Sequence, residues 1–101
     1  MTMPPPPARP TRAIALREVY IEEKPGRLTA VFVLSARPDR LWIDFFRGRA
    51  WYSIYDAASA RFSGPRARVE LLRREDLAPL SAAMERFIEG ANLDAELSGL
   101  P

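Results

Sequence analysis

Acid-base chemistry in this sequence can rest only on carboxylates, because histidine and cysteine are both absent. Histidine is the commonest general base and metal ligand, and cysteine supplies thiolates and disulfides. Asp39, Asp44 and Asp56 lie in or beside an aromatic-rich stretch, residues 41–55. An apolar pocket could raise the pKa of one of them toward a catalytic range. Acids in such positions are nevertheless more typical of helix ends and solvated surfaces.

Motifs for other reactions are absent from the sequence. The five glycines are isolated, so they form no phosphate-binding loop. No serine has a nucleophile motif around it, and the single lysine that could activate one, Lys24, falls in a predicted turn. A metal site built from carboxylates alone could bind only magnesium or calcium, since zinc prefers histidine and cysteine ligands. We therefore expect a non-enzymatic protein with no cofactor and no metal.

The aromatic stretch, residues 41–55, holds both tryptophans and two of the three tyrosines. Ten aromatic residues are more than a small sheet with two helices readily buries on one face, so some rings should be exposed. Exposed aromatic rings are typical of protein interfaces, and a second copy is the simplest partner. We therefore predict a homodimer or other protein-interaction domain. Its predicted interface comprises Phe32, Trp42, Phe46, Trp51, Tyr52 and Tyr55.

Two alternative functions follow from the same stretch. Arginines interleaved with aromatic rings suit a nucleic acid, because guanidinium groups bind phosphates and rings stack on bases. The candidate contacts are Arg47, Arg49, Arg66 and Arg68, although acids lie among them and no RNA-binding motif appears. The third hypothesis is a small-molecule pocket lined by Trp42, Trp51 and Tyr55.

Charge is distributed unevenly along the chain. Residues 1–74 carry fourteen basic side chains against seven acids, whereas residues 75–101 carry one arginine against six acids. The two parts can neutralise each other as two faces of one domain or of two copies.

Length and composition indicate one small globular domain, since the chain has 101 residues, of which 48% are hydrophobic and 28% charged. Residues 1–12 are proline-rich and predict a disordered or polyproline II leader. The domain should span residues 13–93, followed by a frayed tail, residues 94–101. No run is apolar enough to cross a membrane, and no secretory signal precedes the domain, so we expect a soluble, cytoplasmic protein.

The first predicted hairpin occupies residues 13–36. Apolar residues alternate in residues 13–23, but their parity switches near Arg17 and Glu18, which indicates a bulge. Pro25 and Gly26 then stand where a type II turn requires them. Residues 28–36 are apolar on both faces, which is typical of a central strand.

A short helix is predicted to follow, from Pro38 to about Arg47, with Gly48 as its stop. Leu41, Trp42, Phe45 and Phe46 would share one side of this helix. The competing interpretation is a hairpin, because aromatic residues favour strands and part of the segment alternates.

The second half repeats this order. Residues 59–73 predict a hairpin with its turn at Gly64 and Pro65, and an apolar stripe from Leu77 to Ala91 predicts a long helix. Asp76 is the expected N-cap, and Gly90 and Asn92 are the expected stops. The predicted fold is therefore α+β, in the order ββαββα, with one antiparallel sheet of about four strands and both helices packed against it.

Overall fold

The computed structural model describes residues 13–51 and 57–99 of the chain. One four-stranded antiparallel sheet packs against two α-helices, and the ββαββα order is confirmed. The elements in chain order are β1 (Leu16–Lys24), β2 (Arg27–Leu34), α1 (Arg40–Ala50), β3 (Arg61–Ser63), β4 (Arg66–Leu71) and α2 (Leu77–Ser98). Single turns of 3-10 helix at Ala57–Ser59 and Arg74–Asp76 precede β3 and α2. The predicted leader, residues 1–12, lies outside the described residues.

The strands lie in the order β1-β2-β4-β3, so that β2 and β4 are central. Both predicted hairpins are present, and their turns place Gly26 at φ 74° and Gly64 at φ 59°. These positive angles favour glycine, which has no Cβ to clash with the backbone. The register of β1 against β2 shifts between Leu16 and Glu18, which confirms the predicted bulge.

The core lies between the sheet and the helices because alternate residues of β2 and β4 face the helices. Phe32 of β2 and Val69 of β4 are buried there, together with Phe46 of α1 and Met84 of α2. On β4 the alternation is clear, since Ala67, Val69 and Leu71 are buried and the residues between them are more exposed.

A helix is present where the sequence predicts one, which excludes the hairpin interpretation, but α1 begins at Arg40 rather than at Pro38. Asp39 is its N-cap, and the Oδ1 atom of Asp39 accepts a hydrogen bond of 2.8 Å from the backbone N–H of Trp42. The predicted stop at Gly48 is wrong, because the helix continues to Ala50. Ala50 is fully buried in the core, so packing holds the last turn in a helical conformation despite the glycine.

Helix α2 also runs further than predicted. It continues through Gly90 and Asn92 to Ser98, so residues 94–98 are helical and the expected frayed tail begins too early. Asp76 stands at the N-cap but makes no capping hydrogen bond, and its carboxylate instead accepts one from Arg73. The two expected stops are tolerated because both contact other elements, which outweighs their low helix propensity.

Candidate interaction surface

The aromatic residues of α1 point mainly into the molecule. Trp42 and Phe46 lie one turn apart, and their rings stack with centroids 5.6 Å apart. Phe62 of β3 and Phe87 of α2 meet Phe46 edge to face, at 5.4 Å and 6.0 Å. Four rings from three elements therefore form the centre of the core rather than an external surface.

This packing changes the expected role of the predicted interface residues. Phe32, Trp42 and Phe46 are buried within a single copy of the chain, so their rings are not offered to a partner. Tyr52 and Tyr55 lie outside the described residues. Trp51, at the end of α1, is 71% exposed. Of the predicted set, Trp51 is thus the described residue that can contact another molecule without unfolding.

Helix α2 adds two exposed leucines that the sequence analysis did not select. Leu93 and Leu97 are about half exposed and lie one turn apart on one side of the helix. In the sequence, two leucines four residues apart in an acidic helix could have indicated this exposed apolar pair. We call these exposed apolar side chains of the two helices, Trp51, Leu93 and Leu97, the helical-layer surface. The contacts of Trp42 with Asn92 and of Phe46 with Phe87 show that the helices run antiparallel, so Trp51 and Leu97 lie toward opposite ends of this layer.

Asn92 joins α2 to α1 and to the start of the described chain. Its Oδ1 atom accepts hydrogen bonds from the indole Nε1 of Trp42 at 2.9 Å and from the backbone N–H of Ile14 at 3.0 Å. Its Nδ2 atom donates to the carbonyl of Ile14 at 2.9 Å. The Asn92 amide therefore satisfies three partly buried polar groups, two on the backbone of Ile14 and one on the indole of Trp42.

An ion pair between Arg49 and Asp94 also joins the two helices. The guanidinium of Arg49 donates to both carboxylate oxygens of Asp94, at 2.9 Å and 2.7 Å. These hydrogen bonds lower the pKa of Asp94 and raise the pKa of Arg49. The arginine side chain lies against Gly90, where an added Cβ would be 2.9 Å from the Arg49 Cδ atom. Gly90 thus provides the space for this pair.

Arg47 positions the segment that leads into β3. Its guanidinium donates to the carbonyls of Ala58 and Ala60, at 3.3 Å and 3.0 Å. The guanidinium carbon also lies 5.7 Å from the centroid of the Phe62 ring, within the range of a cation–π contact. These contacts orient Arg47 toward its own chain.

The opposite face of the sheet, which we call the open face, carries long polar side chains. Arg68 of β4 donates to Glu22 of β1 at 3.2 Å and 3.4 Å, and this hydrogen bonding lowers the pKa of Glu22. Because β2 lies between β1 and β4, the pair must cross over β2. In the sheet register Arg68 is opposite Val31, and Glu22 is opposite Thr29. Val31 is fully buried and Thr29 is 4% exposed. The ion pair and the side chain of Tyr20, which the register places opposite Val31, form their cover.

The arginines of the nucleic-acid hypothesis are not assembled into one surface. Arg47 is engaged by carbonyls, Arg49 by Asp94 and Arg68 by Glu22. The Arg66 guanidinium makes no hydrogen bond or ion pair within residues 13–51 and 57–99, although its charge helps to lower the pKa of Glu22. Of the four arginines, Arg68 shares the open face with Arg66. The structure therefore brings together only two of the four predicted contacts.

The carboxylates considered for catalysis also have structural partners. Asp39 caps α1, and Asp44 lies 3.8 Å from Arg40 in an ion pair one turn away. Asp56 lies outside the described residues. Within the described part of the chain, no three acidic side chains are grouped closely enough to hold a metal ion.

Neither described helix has the length and hydropathy that a bilayer crossing requires. Comparison of the chain with known protein families, curated proteins and solved structures finds no match.

Proposed function

We propose that this chain is a non-enzymatic protein-interaction domain that self-associates into a homodimer through the helical-layer surface. The observation that carries the proposal is the exposure of Trp51. Every other aromatic ring among the described residues is buried or half-buried, whereas the Trp51 indole is 71% exposed. Large apolar side chains gain free energy when a partner removes them from water, and tryptophan is enriched at the centres of interfaces.

Two leucines supply further apolar area on the same helical layer. Leu93 and Leu97 are each about half exposed, so a partner can cover both without rearranging α2. Their positions beside the Arg49–Asp94 pair also place them on a part of the helix that is held firmly. A rigid surface loses little conformational entropy on binding, which favours association.

Charge complementarity supports a second copy as the partner. Helix α1 carries three arginines against one aspartate, whereas α2 carries four acids against one arginine. A two-fold axis parallel to the helices would place α1 of one copy over α2 of the other. Opposite charges would then surround the apolar side chains, in the arrangement typical of an isologous interface.

Light scattering and sedimentation of the purified chain test this proposal. We expect the wild type to form a dimer that dissociates more readily as the salt concentration rises. Trp51→Ser and Leu97→Asp should each weaken the dimer about tenfold or more, because each substitution removes a large apolar side chain from the proposed interface.

Leu72→Ser is the matched control. Leu72 is 93% exposed, but it follows β4 beside the β1–β2 turn, away from the helical layer. This variant should remain a dimer, and circular dichroism should show all three variants folded. A monomeric wild type at about 100 μM would contradict self-association, and three unchanged dimers would place the interface elsewhere.

A further inference from the structure

A cleft lies between the start of α1 and the last turn of α2. Its volume is about 430 Å³, within the range of small-molecule sites. Apolar side chains make up most of its walls, namely Ile14, Ala36, Leu41, Trp42 and Ala95. Leu41 is half exposed at the rim, so a bound hydrocarbon would remove it from water.

Most polar groups at this cleft are already engaged. The Asp39 carboxylate accepts from the backbone of Trp42, and the Ser98 hydroxyl donates to the carbonyl of Ala95 at 2.9 Å. The indole N–H of Trp42 is bound by Asn92. Arg37, which also lines the cleft, makes no hydrogen bond or ion pair with any residue in the described ranges. Its five N–H donors are therefore available to a ligand.

The electrostatics of the cleft favour one negative charge on that ligand. Arg37 precedes the N-cap of α1 by two residues. The carboxylate of the N-cap residue, Asp39, already offsets the positive end of the helix dipole, so the attraction for an anion comes from Arg37. A planar carboxylate matches the guanidinium fork in two hydrogen bonds. The Asp39 carboxylate at the same rim would repel any anionic group that is not paired with Arg37.

We propose that this cleft binds small hydrophobic monocarboxylates. The ligand carboxylate would pair with Arg37, and its hydrocarbon part would lie against Leu41 and Ala95. The inference rests on the cleft and on Arg37, and it is independent of self-association through the helical-layer surface.

A second hollow of about 440 Å³ lies on the other side of the 37–39 segment, and Arg37 lines it too. Its apolar side chains include Ile43 and Phe62, but Arg40 adds a second guanidinium. The first cleft has the larger number of apolar walls and a single arginine. It therefore fits a ligand with one charge and a sizeable hydrocarbon part better.

Titration of the full chain with octanoate, followed by calorimetry and by amide NMR spectra, tests the proposal. We expect saturable binding, with shifts at the amides of Leu41, Ala95 and Ser98. Octanol, which has the same hydrocarbon chain without the charge, should bind at least about tenfold more weakly, because a hydrogen-bonded charge pair is lost.

Arg37→Gln should weaken octanoate binding at least about tenfold, and Leu41→Ser should weaken it by a smaller factor. Arg66→Gln is the matched control, since the Arg66 guanidinium is also exposed and makes no hydrogen bond within the described residues, but lies on the open face. Its affinity for octanoate should equal that of the wild type. Thermal melts will show whether each variant is folded.

Several outcomes would overturn the proposal. Absence of saturable binding by the wild type up to about 10 mM octanoate would do so, as would equal binding by Arg37→Gln. Shifts confined to Ile43, Phe62 and Gly64 would assign the ligand to the second hollow. Equal affinity for octanol would show that the charge of Arg37 has no part in recognition.

Discussion

Two neighbouring residues of β2 are buried completely, but by different means. Phe32 points to the helical side, where it joins the core beneath α1 and α2. Val31 points to the open face, where no described helix lies over the sheet. Its cover is the Arg68–Glu22 pair that crosses β2, together with the side chain of Tyr20 on β1. A central strand that is apolar on both faces therefore does not require a second layer or a second copy.

The difference between the two covers has physical consequences. Rings and aliphatic chains on the helical side are fixed by shape, and any gap left among them lowers stability. Apart from the ring of Tyr20, the cover of the open face consists of long side chains with hydrocarbon stems and charged ends. These flexible side chains can move to fill a gap, but they stay over the sheet only while Arg68 and Glu22 remain oppositely charged. The two faces should therefore respond differently to truncation and to acid.

Removal of a core ring has the largest expected effect. Phe46→Ala should lower the free energy of unfolding by about 3 to 5 kcal/mol, because Phe46 is fully buried and contacts three other rings. Urea denaturation followed by circular dichroism will measure this loss. Phe45→Ala is the control. The neighbouring Phe45 ring is only half-buried, so its removal should lower the free energy of unfolding by less. An equal loss in both variants would contradict the assignment of Phe46 to the centre of the core.

Truncation of a side chain on the open face should lower the free energy of unfolding by less than Phe46→Ala does. Val31→Ala is expected to lower the free energy of unfolding by about 1 to 2 kcal/mol, since two methyl groups are lost and the flexible cover can partly close the gap. Val33 lies on the same strand and face but is only half-buried, so Val33→Ala should lower the free energy of unfolding by less than Val31→Ala does. If Val31→Ala were as costly as Phe46→Ala, the cover of the open face would be as rigid as the helical layer.

Acid has the smallest expected effect, and it distinguishes the two ion pairs. The pKa of Glu22 on the open face and that of Asp94 on the helical side are both lowered by hydrogen bonds from arginine. A carboxylate with a lowered pKa in the folded state stabilises that state above its ordinary pKa. This stabilisation is lost as pH falls through the ordinary value toward the folded one. The loss should begin near pH 4.5 for Glu22 and near pH 3.8 for Asp94.

Unfolding by urea at a series of pH values from about 6 to 3 will measure this dependence. Glu22→Gln should flatten the upper part of the acid decline and Asp94→Asn the lower part. Both effects should be small, because the pairs are partly exposed and screened by solvent. An unchanged pH profile in both variants would mean that neither pair contributes to folding.

Much of the fold could be predicted because its signals are local. Pro25 with Gly26 and Gly64 with Pro65 specify both turns, and Asp39 specifies the start of α1. The parity switch near Glu18 even located the bulge. The ends of both helices could not be predicted, since Gly48 and Gly90 disfavour a helix by propensity. Burial of Ala50 in the core and the contact of Arg49 with Gly90 nevertheless keep both segments helical.

The candidate surface was predictable only in part. Trp51 was expected to be exposed, but the sequence could not distinguish it from Trp42 and Phe46, because burial depends on which side of α1 meets α2 and β3. Arg37 was not among the predicted binding residues. Its availability follows from the absence of a described partner, and pairing between residues far apart in sequence has no local signal.

The contact of Asn92 with Ile14, 78 residues away in sequence, also bears on how the domain forms during synthesis. A ribosome delivers the first hairpin and α1 long before it delivers Asn92. Until then the backbone of Ile14 and the indole of Trp42 lack their shared partner, and the rings of α1 lack the cover of α2. The nascent chain therefore exposes apolar surface until its second helix emerges, which makes this the stage at which a chaperone would bind it.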